Sequence, residues 1–346
     1  MNLKTSWRRS GHNTRQTCRW RWSGPERTGY EFAGNQVQRG HCMKIAILGA
    51  GALGSVIGGL MAEQGIDVCL LDVNHAHIDA INTSGLQLDS PEGSRRIAIS
   101  AMRPEQYPGD VELIILLTKI FHTEAALAAV QPVIDAGARV LTIQNGLGNA
   151  ERVARRVPEA QILMGSTMIP GGYLGPGHVS SAAQSWTVFK PILDAEIAEA
   201  EAIAKVLAPV GFRYSADAEA QIWQKAAFNC AMNATCGLIG ARVAAISADP
   251  QGKGLVRAIA DEVIAVAQAK GVAVERDAVY QHLDVALAEH TAHKPSMLQD
   301  LEAGRETEIE ALCGEVARQA AALKLHAPLN TALATLIGMK SRAASA

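Results

Sequence analysis

Lys44-Ile-Ala-Ile-Leu-Gly49-Ala-Gly51-Ala-Leu-Gly54-Ser-Val-Ile-Gly-Gly-Leu-Met-Ala-Glu63 is the stretch that decides the fold. A short β-branched run leads into a glycine turn, and small residues suited to a closely packed helix follow. That context gives Gly49-x-Gly51-x-x-Gly54 a specific reading. The first glycine permits a tight turn, the second lets backbone approach a pyrophosphate, and the third lets helix and strand pack closely. Ala50, Ala52 and Leu53 complete the turn, and the free N–H groups at the positive end of the helix would meet the phosphates. The competing reading is a glycine-rich turn with a purely structural role.

Working outward, a second strand is expected over 67–72, with further apolar strands over 111–117, 139–143 and 161–166 and a helix over 122–134. Alternation of this kind predicts a parallel sheet covered on both faces. Residues 171–190 break the rhythm with Gly171-Gly172, Gly175-Pro176-Gly177 and two alternating runs, which fits an antiparallel edge or hairpin. After a helix over 194–207 and a strand over 212–215 the chain becomes Ala-rich and helically periodic. The expected organisation is therefore an extension over 1–42, an α/β dinucleotide-binding domain over 43–215 and an all-helical domain over 216–340.

The 346 residues, 48% of them hydrophobic, suffice for two cores. No apolar run approaches the roughly 20 residues of a membrane span, so no membrane partner is expected. The net charge of -2 hides an asymmetry: residues 1–42 carry eight Lys/Arg and two Asp/Glu, which leaves 24 and 32 in the remainder. A +6 extension thus precedes a -8 body. The extension, with Trp7, Trp20, Trp22 and the run Arg15-Gln-Thr-Cys-Arg-Trp-Arg21, has no secondary-structure periodicity and no h-region, so it does not read as a secretory signal. It reads as a disordered tail or as sequence upstream of a start at Met43, with a transit peptide and a nucleic-acid-binding arm as the other readings. The acidic body argues against nucleic acid as the main partner. Six cysteines without CxxC pairs or zinc spacing read as reduced thiols of a cytoplasmic protein. The scattered histidines, His75/His77 and His290/His293 among them, read as surface or capping residues, and no metal site can be assembled from neighbouring residues.

Candidate site residues stand at strand ends and on one helix. Lys225, Asn229 and Asn233 lie at i, i+4 and i+8, so one helix face would carry an ammonium and two amides through an otherwise apolar segment. Isolated polar groups there would be costly to bury, so a ligand is the natural reason for them. Asp72, at the end of the second strand, sits where an acid hydrogen-bonds the adenosine ribose and repels a 2′-phosphate. No Arg or Lys follows over 73–84, which favours NADH over NADPH. Capping of a helix starting near His75 is the alternative role for Asp72. Lys119 and Asn145 follow the third and fourth expected strands, where ligands of such sheets gather.

The sequence resembles the ketopantoate reductases (2-dehydropantoate 2-reductases) from Met43 to about Gly338. The motifs that carry this are Gly49-Ala-Gly-Ala-Leu-Gly54, Thr118-Lys119, Gln144-Asn-Gly-Leu-Gly148, Trp223-Gln-Lys-Ala-Ala-Phe-Asn-Cys-Ala-Met-Asn233, Pro295-Ser-Met-Leu-Gln-Asp300 and Gly304-Arg-Glu-Thr-Glu-Ile-Glu310. The resemblance implies a Rossmann domain followed by a helical domain like that of 6-phosphogluconate dehydrogenase, with the active site between them. It also implies that Lys225 is the catalytic lysine, that Glu308 is the acid near the reaction centre, and that Asn229, Asn233 and Ser296 bind substrate. Lys119 and Asn145 would line the nicotinamide side, and Gly171 would meet the cofactor with its backbone. The chain departs from the family pattern at His293, where many members have Asn and which would then read the substrate, at Glu306 and Glu310 in the last motif, and at Asp72.

Together these readings predict reduction of ketopantoate in pantothenate biosynthesis, with Lys225 polarising the carbonyl and donating the proton. Glu308, in a row with Leu312 and Val316, would lie at the edge of an apolar helix face, with Glu310, two residues on and facing elsewhere, as its contrast. The enzymatic alternative is an NAD-dependent 2-hydroxy-acid dehydrogenase acting on a branched or aromatic 2-keto acid. The alternative from another class is a dinucleotide-sensing protein without chemistry. A homodimer is left open as the assembly.

Overall fold

A computed structural model describes residues 43–182 and 185–344. The expectations for 1–42 lie outside the described residues. Among the described residues twelve strands run in chain order as β1 (Ile45–Leu48), β2 (Val68–Leu71), β3 (Leu86–Ser90), β4 (Gly93–Ile97), β5 (Ser100–Met102), β6 (Leu113–Leu116), β7 (Arg139–Thr142), β8 (Ile162–Thr167), β9 (Gly172–Gly175), β10 (His178–Ser180), β11 (Thr187–Pro191) and β12 (Phe212–Tyr214). Eight form one sheet in the order β12-β11-β8-β7-β6-β1-β2-β5. Its pairs are parallel except β11 against β8, where Thr187 faces Thr167. Alternate residues of β1 enter different cores, Ile45 and Ile47 on one face of the sheet and Ala46 and Leu48 on the other. This two-sided burial is why the strand is continuously apolar rather than alternating.

Strand order reverses around β1, with β2 on one side and β6 on the other, and the crevice at such a switch point is where ligands of open α/β sheets bind. Gly49 leaves β1 with φ +103, and a Cβ there would stand 2.5 Å from the Thr118 backbone nitrogen. Only glycine satisfies both conditions. The helix Ala52–Glu63 follows.

Two local expectations are corrected. The helix over 122–134 is two helices, Thr123–Ala129 and Gln131–Asp135, because Pro132 cannot continue the first and instead starts the second. Residues 86–102, unassigned in the sequence reading, supply β3, β4 and β5. β3 and β4 join the β9–β10 hairpin in a separate sheet ordered β4-β3-β10-β9. Only Leu86, Leu88 and Ile97 of β3 and β4 are buried, so the apolar signal is too sparse to announce two strands.

From Ala218 onward the described residues form no strand. The helix Ala218–Ile239 packs against Gly252–Ala269 and against β8, and Ala226, Ala227, Cys230, Ala231 and Cys236 are buried along it. Small side chains on several faces allow that many close neighbours. No helix among the described residues is long and apolar enough to cross a membrane.

The loop after β7 joins the sheet to these helices. Leu147 is 3% exposed and belongs to the helical core, while its N–H donates to the Ala311 carbonyl at 2.8 Å. Gly146, at φ +89, makes that approach possible, since a Cβ would come within 2.6 Å of the Ala311 oxygen. Leu147→Ala empties this socket and should destabilise the protein by about 2–4 kcal/mol. Chemical denaturation reads the loss, and an unchanged midpoint would show that the loop does not anchor the joint.

Candidate functional site

The site is built where three strand ends meet the long helix. β6 leads to Thr118-Lys119, β7 to Gln144-Asn145, and β8 ends at Thr167. Gln144 is buried and ties two of these ends together, with its Nε2 donating to the Thr118 carbonyl at 2.8 Å and to Thr123 Oγ1 at 3.0 Å. The amide thus fixes the backbone from which Lys119 projects.

Lys225 projects from helix Ala218–Ile239 toward the end of β8, and its Nζ donates to the Thr167 carbonyl at 2.7 Å. Burial pushes its pKa down to about 8, against the opposing pull of Glu308. Lys119 reaches from the sheet into the same seam. Its Nζ donates to Asp300 Oδ2 at 2.8 Å and lies 3.6 Å from Glu308 Oε2. Burial alone would lower the Lys119 pKa, but Glu308 and Asp300 together outweigh it and hold the ammonium above the usual lysine range. Asn145 Nδ2 donates to Glu308 Oε2 at 3.5 Å.

Asn145, Asn229, Asn233, Ser296, Asp300 and Glu308 line one narrow recess of about 10 Å³, with Met297 and Leu312 as its apolar wall. Six of its eight walls are polar, and most of these are amides or hydroxyls that bind either end of a hydrogen bond. The expected row along the helix is therefore present, with Lys225 turned toward Thr167 and Asn229 and Asn233 toward the recess. A larger space of about 300 Å³ opens beside the same helix at Glu219, Ile222 and Trp223, but none of the candidate catalytic or substrate-binding residues lines it.

Three expectations change. Glu308 is not on a helix: it precedes a single 3-10 turn, Ile309–Ala311, and the helix Cys313–Ala322 begins only after Leu312 adopts φ -105, ψ -100. Its carboxylate is presented by that break rather than by a helical row, while Glu310 is exposed. His293 is exposed and does not line the recess. Asp72 does not cap the helix His75–Ser84, because Asn74 does so by accepting from the His77 N–H, while Asp72 Oδ1 accepts from the Asn74 N–H at 2.9 Å.

Two residues escaped the sequence reading. Asp300 is 5% exposed and bridges Lys119 and Arg305, whose Nε donates to Oδ1 at 3.0 Å. Its position one helical turn after Ser296 was a usable signal. Arg103 follows β5, beside β2, so that the Asp72 N–H donates to the Met102 carbonyl. It carried no local signal, since its approach to Asp72 depends on strand order. Its guanidinium meets Glu105 Oε2 at 3.2 Å and His75 Nε2 at 3.0 Å.

At the glycine turn, Gly51 starts helix Ala52–Glu63 with no side-chain cap and no acidic residue in the first turn. A Cβ on Gly51 would meet nothing within 4 Å. The space beside Gly51 is thus open at the start of the helix, where a phosphate would approach. Gly171 backs this turn, where a Cβ would come within 2.9 Å of the Leu53 Cα and nitrogen. Glycine turn, Asp72, Lys119 and Asn145 follow successive strands on both sides of the switch point. Such a crevice holds an extended dinucleotide.

Two family models match the chain: "Ketopantoate reductase PanE/ApbA" over residues 45–193 and "Ketopantoate reductase PanE/ApbA C terminal" over 217–341. A 2-dehydropantoate 2-reductase of Halobacterium salinarum is 30% identical over 303 residues, covering 87% of this chain and 99% of that protein. Among solved structures, a ternary complex of D-mandelate dehydrogenase with NADH and anilino(oxo)acetate superimposes with a TM-score of 0.83 at 28% identity, covering 88% of this chain and all of that one. A putative 2-dehydropantoate 2-reductase from Enterococcus faecalis does so with a TM-score of 0.70 at 32% identity and the same coverage. With its two halves matched in order and its full-length relatives covered nearly end to end, the chain belongs to the ketopantoate reductase family.

Proposed function

We propose that this protein is a 2-dehydropantoate 2-reductase that draws on NADH, with Lys225 as the proton donor. The observation that carries the reading is the half-buried Lys225 ammonium, its pKa lowered to about 8, beside Glu308 and a recess of amides and hydroxyls. In this reading Gly49 to Gly54, Asp72 and Gly171 hold the dinucleotide, and Lys119 and Asn145 flank its nicotinamide end. When bound, the reduced nicotinamide supplies the hydride to the keto carbon.

The residues of the chain do the rest. One N–H of Lys225 is committed to Thr167, which aims the other two away from the sheet end. An ammonium so held polarises a keto oxygen and passes it a proton, leaving an alcohol and a neutral amine. Asn229, Asn233 and Ser296 offer N–H and O–H donors for a carboxylate, and Glu308 accepts from a hydroxyl on the substrate chain. Fixing both ends sets the keto carbon in register for hydride transfer, an effect worth several kcal/mol of barrier. A recess with this lining favours a small hydroxylated aliphatic acid over an aromatic one, whose ring would strand the amides unpaired.

Lys225→Ala should lower turnover by roughly 100-fold or more while dinucleotide binding survives. The wild-type rate of keto-acid reduction should fall as pH rises through about 8, because the ammonium that donates the proton is lost there. A rate flat from neutral pH well past that point, or near-normal turnover in the alanine variant, removes Lys225 from the role.

The likeness to D-mandelate dehydrogenase favours a second reading, an NAD-dependent 2-hydroxy-acid dehydrogenase for a different branched or aromatic 2-keto acid. Purified protein assayed against a panel of 2-keto acids with both nicotinamides separates the two. A ketopantoate reductase prefers the substrate with the 4-hydroxyl, whereas higher kcat/KM on an aryl keto acid supports the alternative. In the same assay Asp72 predicts higher kcat/KM with NADH than with NADPH, because its carboxylate repels a 2′-phosphate and Arg103 is engaged by Glu105 and His75. A strong NADPH preference would overturn that assignment.

A further inference from the structure

His77, which reads as a surface residue in the sequence, is 1% exposed. The Gly177 N–H donates to its Nδ1 at 2.9 Å, so that nitrogen carries no proton and the ring is neutral with its hydrogen on Nε2. Nε2 is 2.9 Å from Ser55 Oγ and donates to it. The Ser55 hydroxyl in turn donates to the Ala50 carbonyl at 2.8 Å. Every link runs in one direction and every buried donor is spent. The relay begins on the β9–β10 hairpin and ends inside the glycine turn, two segments more than 100 residues apart in sequence.

The hairpin touches the same region at two more places. Gly171, just before β9, lies against Ala52 and Leu53 at the start of the helix. Tyr173 of β9 has its ring 5.3 Å from the His77 ring, its phenol interacts with the Asn74 side chain and the Asp72 carboxylate, and it is 45% exposed. The hairpin therefore stands over the end of the crevice where Asp72 awaits a ribose. Burial lowers the His77 pKa, with Asp72 opposing, and protonation would turn an Nδ1–H against the Gly177 N–H. The neutral ring is thus the form that holds the two segments together.

We propose that His77 is a positioning residue of the dinucleotide site: through Gly177 on one side and Ser55 and Ala50 on the other, it clips the hairpin to the glycine turn and fixes Tyr173 and Gly171 as the second wall at the adenosine end. The inference rests on the dinucleotide reading above. It assigns His77 no contact with substrate or reacting atoms.

The two ring nitrogens can be tested separately. His77→Asn places an amide oxygen where Nδ1 accepts but does not reach Ser55, and His77→Gln reaches Ser55 but leaves the Gly177 N–H without its acceptor. Fluorescence titration with NADH should show the Kd raised about 5- to 20-fold in each, as loss of one buried hydrogen bond implies. The KM for the keto acid at saturating NADH should stay within about twofold, a split that general loosening of the fold does not produce. Should either variant melt below the assay temperature, Ser55→Ala cuts the relay without disturbing the hairpin and is expected to raise the NADH Kd by the same amount. Folded variants that bind NADH as the wild type does, or that lose NADH and keto-acid affinity in parallel, overturn the clip. A wild-type chain that binds neither NADH nor NADPH overturns the dinucleotide reading and the clip together.

Discussion

Glu308 is the carboxylate that links the two lysines of the site, because both share its field and respond in opposite ways. Lys119 comes from the sheet, with Asp300 beside it as a second carboxylate, and is held charged above the usual range. Lys225 comes from the helix with the Thr167 carbonyl at its nitrogen, and burial dominates. Environments that push the pKa values of like groups apart assign them different tasks. Lys119 is a permanent charge that ties sheet to helices and sets the local potential, and Lys225 is the group free to give up a proton near neutral pH. One carboxylate is enough because Asp300 supplies the asymmetry.

That asymmetry is maintained by backbone contacts between segments remote in sequence. Leu147 is seated among the helices, so Asn145, two residues earlier, is carried to Glu308, and Gln144 fixes the strand end that carries Lys119. Asp300 belongs to the helix Ser296–Glu302 and reaches Lys119 from the opposite side. A change in how the helices sit on the sheet would therefore act on both lysines together. Coupling of this kind needs no contact between the altered residue and the substrate, since the pKa of each group is set by distances across the joint.

The parts of this arrangement legible in the sequence are those whose signal is local. The glycine turn follows from spacing after a strand, and the face shared by Asn229 and Asn233 follows from helical period. Glu308 entered through resemblance, and the helical row proposed for it was broken by the turn at Ile309–Ala311. The second sheet is not legible in the sequence because β3 and β4 bury few side chains and β3 takes its other partner, β10, from roughly 90 residues later. The burial of His77 is hidden in the sequence for the same reason. Its partner Gly177 contributes only a backbone N–H, which every residue but proline possesses, so no residue type marks the pairing.

A dinucleotide crevice at a switch point is open along one side, because the strand ends that form it diverge. Here the second sheet lies on that side, with Gly171 just before β9 and Tyr173 within it set opposite Asp72 of the main sheet. Strand pairing with β3 fixes the height of the hairpin over the sheet but leaves its tilt toward the glycine turn undetermined, since a two-stranded ribbon twists easily. A buried, directional contact at its tip removes that freedom. An imidazole suits the task because one ring presents an acceptor and a donor at fixed separation, so the Gly177 and Ser55 links cannot shift independently. Rigidity at the glycine turn and a titrating amine beside Glu308 are thus separate properties of one molecule. The first is set by hydrogen-bond geometry and the second by desolvation.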